Sequence, residues 1–228
     1  MLFVLSHMRS FSSLLVHILA SSPELSGNRE MHRSYSSMSD VHKVANELTS
    51  STPQVTAVDN LLHNHHTLSE DVRSSSDCTW IVSIRQPFPT LKSLWRWGGG
   101  KAMPFREPGQ ALAYYEQRLT HLAELAPSLA TGFVLLRADR IVNHTDASLD
   151  LLSSALTLKA PLTQNYEIDA STGDPANGDF SRFIRRGRVV KKRNHVVKPD
   201  LPEEEIEQAR VAHGRAMELL SAHASSVI

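Results

Sequence analysis

Apolar and polar positions switch between two spacings along this chain, and the switches lay out alternating strands and helices. Residues 2–5 (LFVL) are uniformly apolar, as in a strand covered on both faces. A hydroxyl-rich turn over 6–13 (SHMRSFSS) follows, and 14–19 (LLVHIL) reads as a helix. Residues 24–30 form a short strand or an extended connection. Met38, Val41, Val44, Ala45 and Leu48 recur at helical spacing over 38–51, with Asp40 near the start and Pro53 closing the segment. Residues 54–62 (QVTAVDNLL) and 78–84 (CTWIVSI) are rich in β-branched and apolar types, the second being the clearest buried strand of the chain.

The same alternation continues to the end. Pro87 and Pro89 turn the chain into a helix over 90–97, with Leu91, Leu94 and Trp95 on one side, and Gly98, Gly99 and Gly100 stop it. Residues 98–108 form either a substrate lid or a plain surface loop. Over 109–126, Leu112, Tyr115, Leu119 and Leu122 define the core side of an amphipathic helix, with Glu116, Arg118, His121 and Glu124 facing elsewhere. Residues 132–136 (GFVLL) predict a strand that delivers Arg137 and Asp139 to its carboxyl end, and Asp146 is placed to cap a helix lined by Leu149, Leu152 and Leu156. Residues 171–194 turn polar and then basic. A last helix, 201–222, starts at Asp200, Pro202 and three glutamates and is lined by Ile206, Ala209, His213, Met217 and Leu220. It reads as a packing or interaction helix without chemistry. The fold class is therefore α/β, a mostly parallel central sheet flanked by helices, with a C-terminal helix. Ligands of such sheets gather beyond the carboxyl ends of the strands, where the loops after Leu5, Leu62, Ile84 and Leu136 lie.

Totals narrow the partners. A chain of 228 residues suits one α/β domain, expected here as 1–198 with a helical extension of the same domain over 199–228. Lys plus Arg total 24 against 24 Asp plus Glu, which argues against general nucleic-acid binding. Cys78 is the only cysteine, so no intrachain disulfide forms, and no apolar run is long enough to cross a bilayer. A soluble cytoplasmic protein is expected. His63, His65 and His66 raise the question of a metal, yet no Cys or carboxylate stands at a recognised ligand spacing, and the ordinary strand end is the preferred reading.

The chemistry concentrates in the first turn. A strand, a short polar turn and a helix beginning with serines converge several backbone N–H groups on one point, which attracts an anion. Arg9 adds charge, and the hydroxyls of Ser10, Ser12 and Ser13 suit phosphate oxygens. A basic, Ser-rich, acid-free start also fits a targeting sequence, although its apolar run precedes Arg9, the reverse of a secretory signal. Arg85 and Ser93, with seven residues between them across a strand, a proline turn and a helix start, are placed to meet one phosphate.

At these residues the chain resembles the sulfotransferases that use 3′-phosphoadenosine-5′-phosphosulfate. The 7–15 segment (HMRSFSSLL) is similar to the family's 5′-phosphosulfate loop, and 84–94, with Arg85 and Ser93, is similar to its 3′-phosphate motif. The 135–156 segment (LLRAD through Leu156) is similar to a strand, acidic turn and Leu-rich helix of bacterial members. Gly178 through Gly187 is similar to their C-terminal basic loop. Four motifs in the family's order, covering most of 1–195, favour the phosphate loop over the targeting sequence.

The resemblance implies a P-loop nucleotide-binding type of sheet and an enzyme that transfers a sulfuryl group to a hydroxyl or amine of a small-molecule, carbohydrate or lipid acceptor. No metal, nucleic acid or membrane span is implied, and the C-terminal helix is a candidate surface for a homo-oligomer. It assigns the 5′-phosphosulfate to Arg9, Ser10, Phe11, Ser12 and Ser13, and the 3′-phosphate to Arg85, Ser93, Arg185, Arg186 and Gly187. It makes Glu30 the base, in the setting Arg29-Glu30-Met31-His32, with His32 as second candidate and Arg9 stabilising the departing phosphate. Segments 31–38 and 98–108 would line the acceptor pocket. Two departures stand out. Phe11 occupies a position where the family commonly has Gly, so a positive φ there costs about 1 kcal/mol, and its ring would narrow the approach to the phosphates. Arg9 replaces a lysine, which keeps charge and changes geometry. Two rivals are a non-catalytic nucleotide-binding or interaction protein on the same fold and, less favoured, a P-loop kinase. The latter requires a Gly-x-x-x-x-Gly-Lys-Ser/Thr loop, which the chain lacks.

Overall fold

The strand at 2–5 becomes β1 (Leu2–Ser6), buried along its whole length, in a computed structural model that describes residues 1–27, 30–49, 55–98, 105, 108–168, 172, 183–191 and 201–228. β1 pairs in parallel with β3 (Thr56–Leu61) on one side and β4 (Thr79–Ile84) on the other. β2 (Leu25–Ser26) extends the sheet beyond β3; β5 (Val134–Arg137) and β6 (Ser226–Val227) extend it beyond β4. Among the described residues the six strands are all parallel, in the order β2-β3-β1-β4-β5-β6.

Successive side chains of β1 enter opposite cores, which is why its sequence is apolar throughout rather than alternating. Leu2 and Val4 pack under α1 (Ser12–Ala20), α6 (Asp139–Asn143) and α7 (Thr145–Ala155). Phe3 and Leu5 pack under α2 (Met38–Thr49), α4 (Pro87–Gly98), α5 (Pro108–Leu125) and α8 (Glu203–His223). The centre of this second core is aromatic: Phe3 stacks on Trp80 at 4.9 Å and meets Tyr35 edge-on at 5.0 Å.

Several boundaries move for identifiable reasons. The helix expected over 90–97 starts at Pro87, because prolines in a first turn remove N–H groups that have no intrahelical partner. Asp146 does not cap α7; the helix starts one residue earlier and Asp146 sits in its first turn, where a carboxylate answers the helix dipole. Two short helices, α3 (Glu70–Arg73) and α6, and the two-residue β6 are too brief to leave a periodic signal. β6 follows α8 directly and joins the sheet edge, Ile228 N donating to Leu135 O at 2.9 Å. The expected helix over 38–51 ends at Thr49 and the strand over 54–62 begins at Thr56; residues 50–54 lie outside the described ones. Most of the 98–108 loop lies outside them too, although Phe105 is buried with its ring 5.4 Å from that of Tyr114. Among the described residues no helix is long and apolar enough to cross a membrane.

Two adjacent strands send their chains in opposite directions. β1 continues through α1 to β2 on the far side of β3, whereas β4 continues through α4 and α5 to β5. The chain therefore leaves the carboxyl ends of β1 and β4 in opposite directions, and it is at such a switch point that open α/β sheets commonly hold ligands.

Candidate functional site

The loop leaving β1 is held in a conformation that L-residues adopt reluctantly. Arg9 and Phe11 both have positive φ, 65° and 64°. Phe11 occupies the N-cap of α1 (ψ 18°) without a side-chain cap, and the first turn of the helix contains no acidic residue. Ser10 Oγ donates to His7 O at 2.7 Å, so this hydroxyl shapes the loop from inside. Ser12 is buried and Ser13 half-buried. His7, fully buried, accepts the Arg85 backbone N–H at Nε2 (3.0 Å) and bonds Met8 O through Nδ1 (2.9 Å), which assigns its proton to Nδ1. Burial holds it neutral, with a pKa lowered to about 3.

Arg85 and Ser93 meet this loop directly. The Arg9 Nε donates to Ser93 Oγ at 2.8 Å, and Arg85 Nη1 donates to Arg9 O at 2.9 Å. Arg85 is oriented by Asp139, which accepts its Nε at 3.1 Å and also takes the Gln86 backbone N–H at 3.0 Å. Burial pulls the guanidinium pKa down from its ordinary value and Asp139 opposes that pull. The Phe11 ring lies 4.1 Å from the Arg85 guanidinium carbon, in cation–π geometry. The residue read as a narrowing of the phosphate approach is thus a platform for the arginine assigned to the 3′-phosphate.

Glu30 reaches the sheet through a close approach that only glycine permits. Gly27, at φ 128°, follows β2 along β3 so closely that a Cβ would lie 2.3 Å from Val58 O. The chain then delivers Glu30 to the end of β3, where Asn60 Nδ2 donates to Oε1 at 3.1 Å. Asn60 is in turn held by Ser6 Oγ at 2.9 Å. His32 Nε2 stands 3.8 Å from the other carboxyl oxygen, and its φ is 48°. Burial raises the Glu30 pKa to about 7, with the His32 and Asn60 neighbours pulling the other way. Beyond His32 lies an imidazole cluster: ring centroids are 6.0 Å apart for His32 and His66, 4.2 Å for His65 and His66, and 5.1 Å for the stacked His63 and His65. Among the described residues no group of His, Cys, Asp and Glu is arranged to hold a metal ion.

The basic segment is described over 183–191 only; Gly178 to Arg182 and residues 192–200 lie outside the described residues. A short 3₁₀ turn (Ile184–Arg186) ends at Gly187, whose φ of 61° and 3.2 Å Cβ distance to Tyr166 O call for glycine. Arg185 and Arg186 are exposed, while Ile184 is buried. The turn docks on α1: Tyr166 donates its hydroxyl to Ile184 O at 3.0 Å, and its ring meets that of His17 edge-on at 5.8 Å. The candidate anion site is thus assembled in two parts. The loops after β1 and β4 are bonded to each other, and the basic turn is tied to the helix that the first loop begins.

Two residues matter here that sequence periodicity missed or misread. Arg118, expected on the outer side of its helix, is 2% exposed and donates to Ser6 O, Leu61 O and Asn64 Oδ1. It ties the carboxyl ends of β1 and β3 together. Asp59, inside a strand covered on both faces, accepts from Tyr35 Oη at 2.6 Å and from the Met31 backbone N–H at 3.0 Å. A carboxylate in the middle of an apolar strand was the available signal for it. No protein-family model matches the chain, and no curated protein matches it.

Proposed function

We propose that this chain binds 3′-phosphoadenosine-5′-phosphosulfate in the crevice between β1 and β4 and transfers its sulfuryl group to an acceptor hydroxyl or amine. The observation that carries the reading is the direct bonding of the two loops: Arg9 to Ser93, and Arg85 to Arg9 O, beside the uncapped start of α1. Two cations and a helix start converging on one crevice suit a ligand with phosphate groups at two positions. The loop backbone favours the same use, since left-handed residues such as Arg9 and Phe11 are typical of the turns whose N–H groups form anion-binding concavities.

In this reading Glu30 takes the acceptor proton while the acceptor oxygen attacks sulfur in line. The bond from sulfur to the 5′-phosphate oxygen breaks, and the negative charge that develops on that oxygen is met by Arg9 and the α1 amides. A carboxyl with a pKa near 7 is suited to this task at neutral pH. His32, half-exposed beside it, is the alternative base. Arg185 and Arg186 close the 3′ side from the turn docked on α1. A small molecule, carbohydrate or lipid serves as acceptor, in a cytoplasmic setting in keeping with the lone buried Cys78. Association of two copies through α8, where Val211 and Leu219 are exposed, belongs to the same proposal.

Calorimetric titration with adenosine 3′,5′-bisphosphate, the product, tests the assignment. The wild type is expected to bind and Arg85→Ala to bind at least about tenfold more weakly, the worth of one charge-assisted contact. No binding by the wild type, or unchanged binding by Arg85→Ala, would overturn it. One observation favours the non-catalytic rival: the Phe11 ring already covers the Arg85 guanidinium. If that cover blocks the site, Phe11→Gly binds the bisphosphate more tightly than the wild type.

A further inference from the structure

Asp59 and Asn60 are neighbours on β3 and face opposite sides of the sheet. Asp59 shares a face with its register partner Phe3, and Asn60 with Val4. Together they grip the 30–31 segment from both sides: Asn60 Nδ2 bonds the Glu30 carboxyl, and Asp59 Oδ1 accepts the Met31 backbone N–H. We propose that Asp59 and Asn60 are positioning residues for Glu30, Asn60 aiming its carboxyl and Asp59 keeping a resident negative charge, so that the one exchangeable proton of the pair resides on Glu30. The inference rests on the sulfuryl-transfer reading for its meaning in turnover, since there Glu30 is the proton acceptor.

The unequal supply of donors carries the argument. Asp59 receives three: the Tyr35 hydroxyl at 2.6 Å, the Met31 N–H at 3.0 Å and the Asn60 N–H at 2.8 Å. Among the described hydrogen bonds Glu30 receives one, from Asn60 at 3.1 Å. Hydrogen bonds to a carboxylate favour its charged form, so of two buried carboxyls the one with three donors keeps the charge and the other takes the proton. Burial pushes both upward, and the Asp59 charge adds to the rise at Glu30. The aim of the Asn60 amide is set by Ser6, whose hydroxyl donates to Oδ1 and so turns Nδ2 toward Glu30. The other titratable groups bearing on Glu30 are His32, from its own segment, and the Tyr114 hydroxyl, from α5.

The test is a ¹³C-NMR titration of the Glu30 side-chain carboxyl in the full chain, a readout that needs no substrate. Asp59→Asn removes the resident charge and is expected to lower the Glu30 midpoint by about one pH unit. Tyr35→Phe is expected to move it the same way by less, because Asp59 then holds its charge less firmly. Asn60→Leu removes the donor to the carboxylate and is expected to raise it. A loss of packing alone would not move the midpoint in opposite directions. An unchanged midpoint in both Asp59→Asn and Tyr35→Phe, or a fall in Asn60→Leu, would overturn the proposal; where Asp59→Asn does not fold, Tyr35→Phe decides. Failure of the bisphosphate to bind would instead sink the sulfuryl-transfer reading and leave these midpoint shifts standing.

Discussion

Arg85 and Arg118 both secure the carboxyl ends of the central strands, and they do so by opposite means. Arg118 is 2% exposed and gives its donors to two backbone carbonyls and the Asn64 amide oxygen. Arg85, with a side chain 15% exposed, pairs with Asp139, supports the β1 loop through Arg9 O and keeps one face against the Phe11 ring. The first is sealed among carbonyls, its pKa lowered by burial to about 10. The second is anchored by a carboxylate and a loop carbonyl and stays partly exposed beside the Phe11 ring. Position along the sheet does not set the two arginines apart; what surrounds each charge does.

Removing Arg118 breaks this comparison most severely. Arg118→Leu leaves Ser6 O, Leu61 O and Asn64 Oδ1 short of a buried donor and is expected to cost about 4 kcal/mol in urea unfolding. Arg118→Lys, which restores charge without the fork, should recover only part of that. If Arg118 were a ligand rather than a clamp, the lysine variant would lose bisphosphate affinity out of proportion to stability. Arg85→Ala is expected to cost about 2 kcal/mol, mainly by stranding the half-buried Asp139, together with the loss of affinity stated above. A stability loss without an affinity loss would make Arg85 a second clamp.

Glu30 extends the contrast to a group that can shed its charge. Its folded-state pKa is about 7, raised from 4.5, so the folded protein holds a proton that the unfolded chain has already released. The stability this contributes is complete below about pH 4.5 and is lost as the pH rises through 7. Glu30→Gln does not titrate. Between pH 5 and pH 8 its stability should therefore gain on that of the wild type by about 2–3 kcal/mol in denaturation measured at each pH. A gap that does not change with pH would mean that Glu30 is ionised throughout. Phe11→Gly should give the smallest change in stability, within about 1 kcal/mol, since relief of the positive φ offsets the lost cation–π contact. A larger loss would show that the Phe11 ring holds Arg85 in place.

Uniform apolar runs at 2–5 and 78–84 were enough to predict strands buried on both faces, because a residue on either side of such a strand meets a helix. Helical spacing gave α2, α4, α5 and α8 within a few residues of their observed ends. That the turn around Arg9 and the Arg85 to Ser93 segment meet was legible, since residue types and separations are local properties and both segments follow neighbouring strands. Other features were decided only when the chain folded. Arg118 belongs to the polar side of its helix by periodicity, yet three oxygens from β1, β3 and the loop after it draw the side chain into the interior. The resemblance implies a left-handed backbone at Phe11, but its partner, Arg85, is brought to it by a neighbouring strand. Asp59 and Asn60 are adjacent in the chain and serve opposite faces, so their joint hold on the Glu30 segment exists only once Gly27 lets the chain run close beside β3. Periodicity reports which side of an element is apolar. Which distant donor meets which buried acceptor is fixed by strand order and close approach, and these are properties of the assembled sheet.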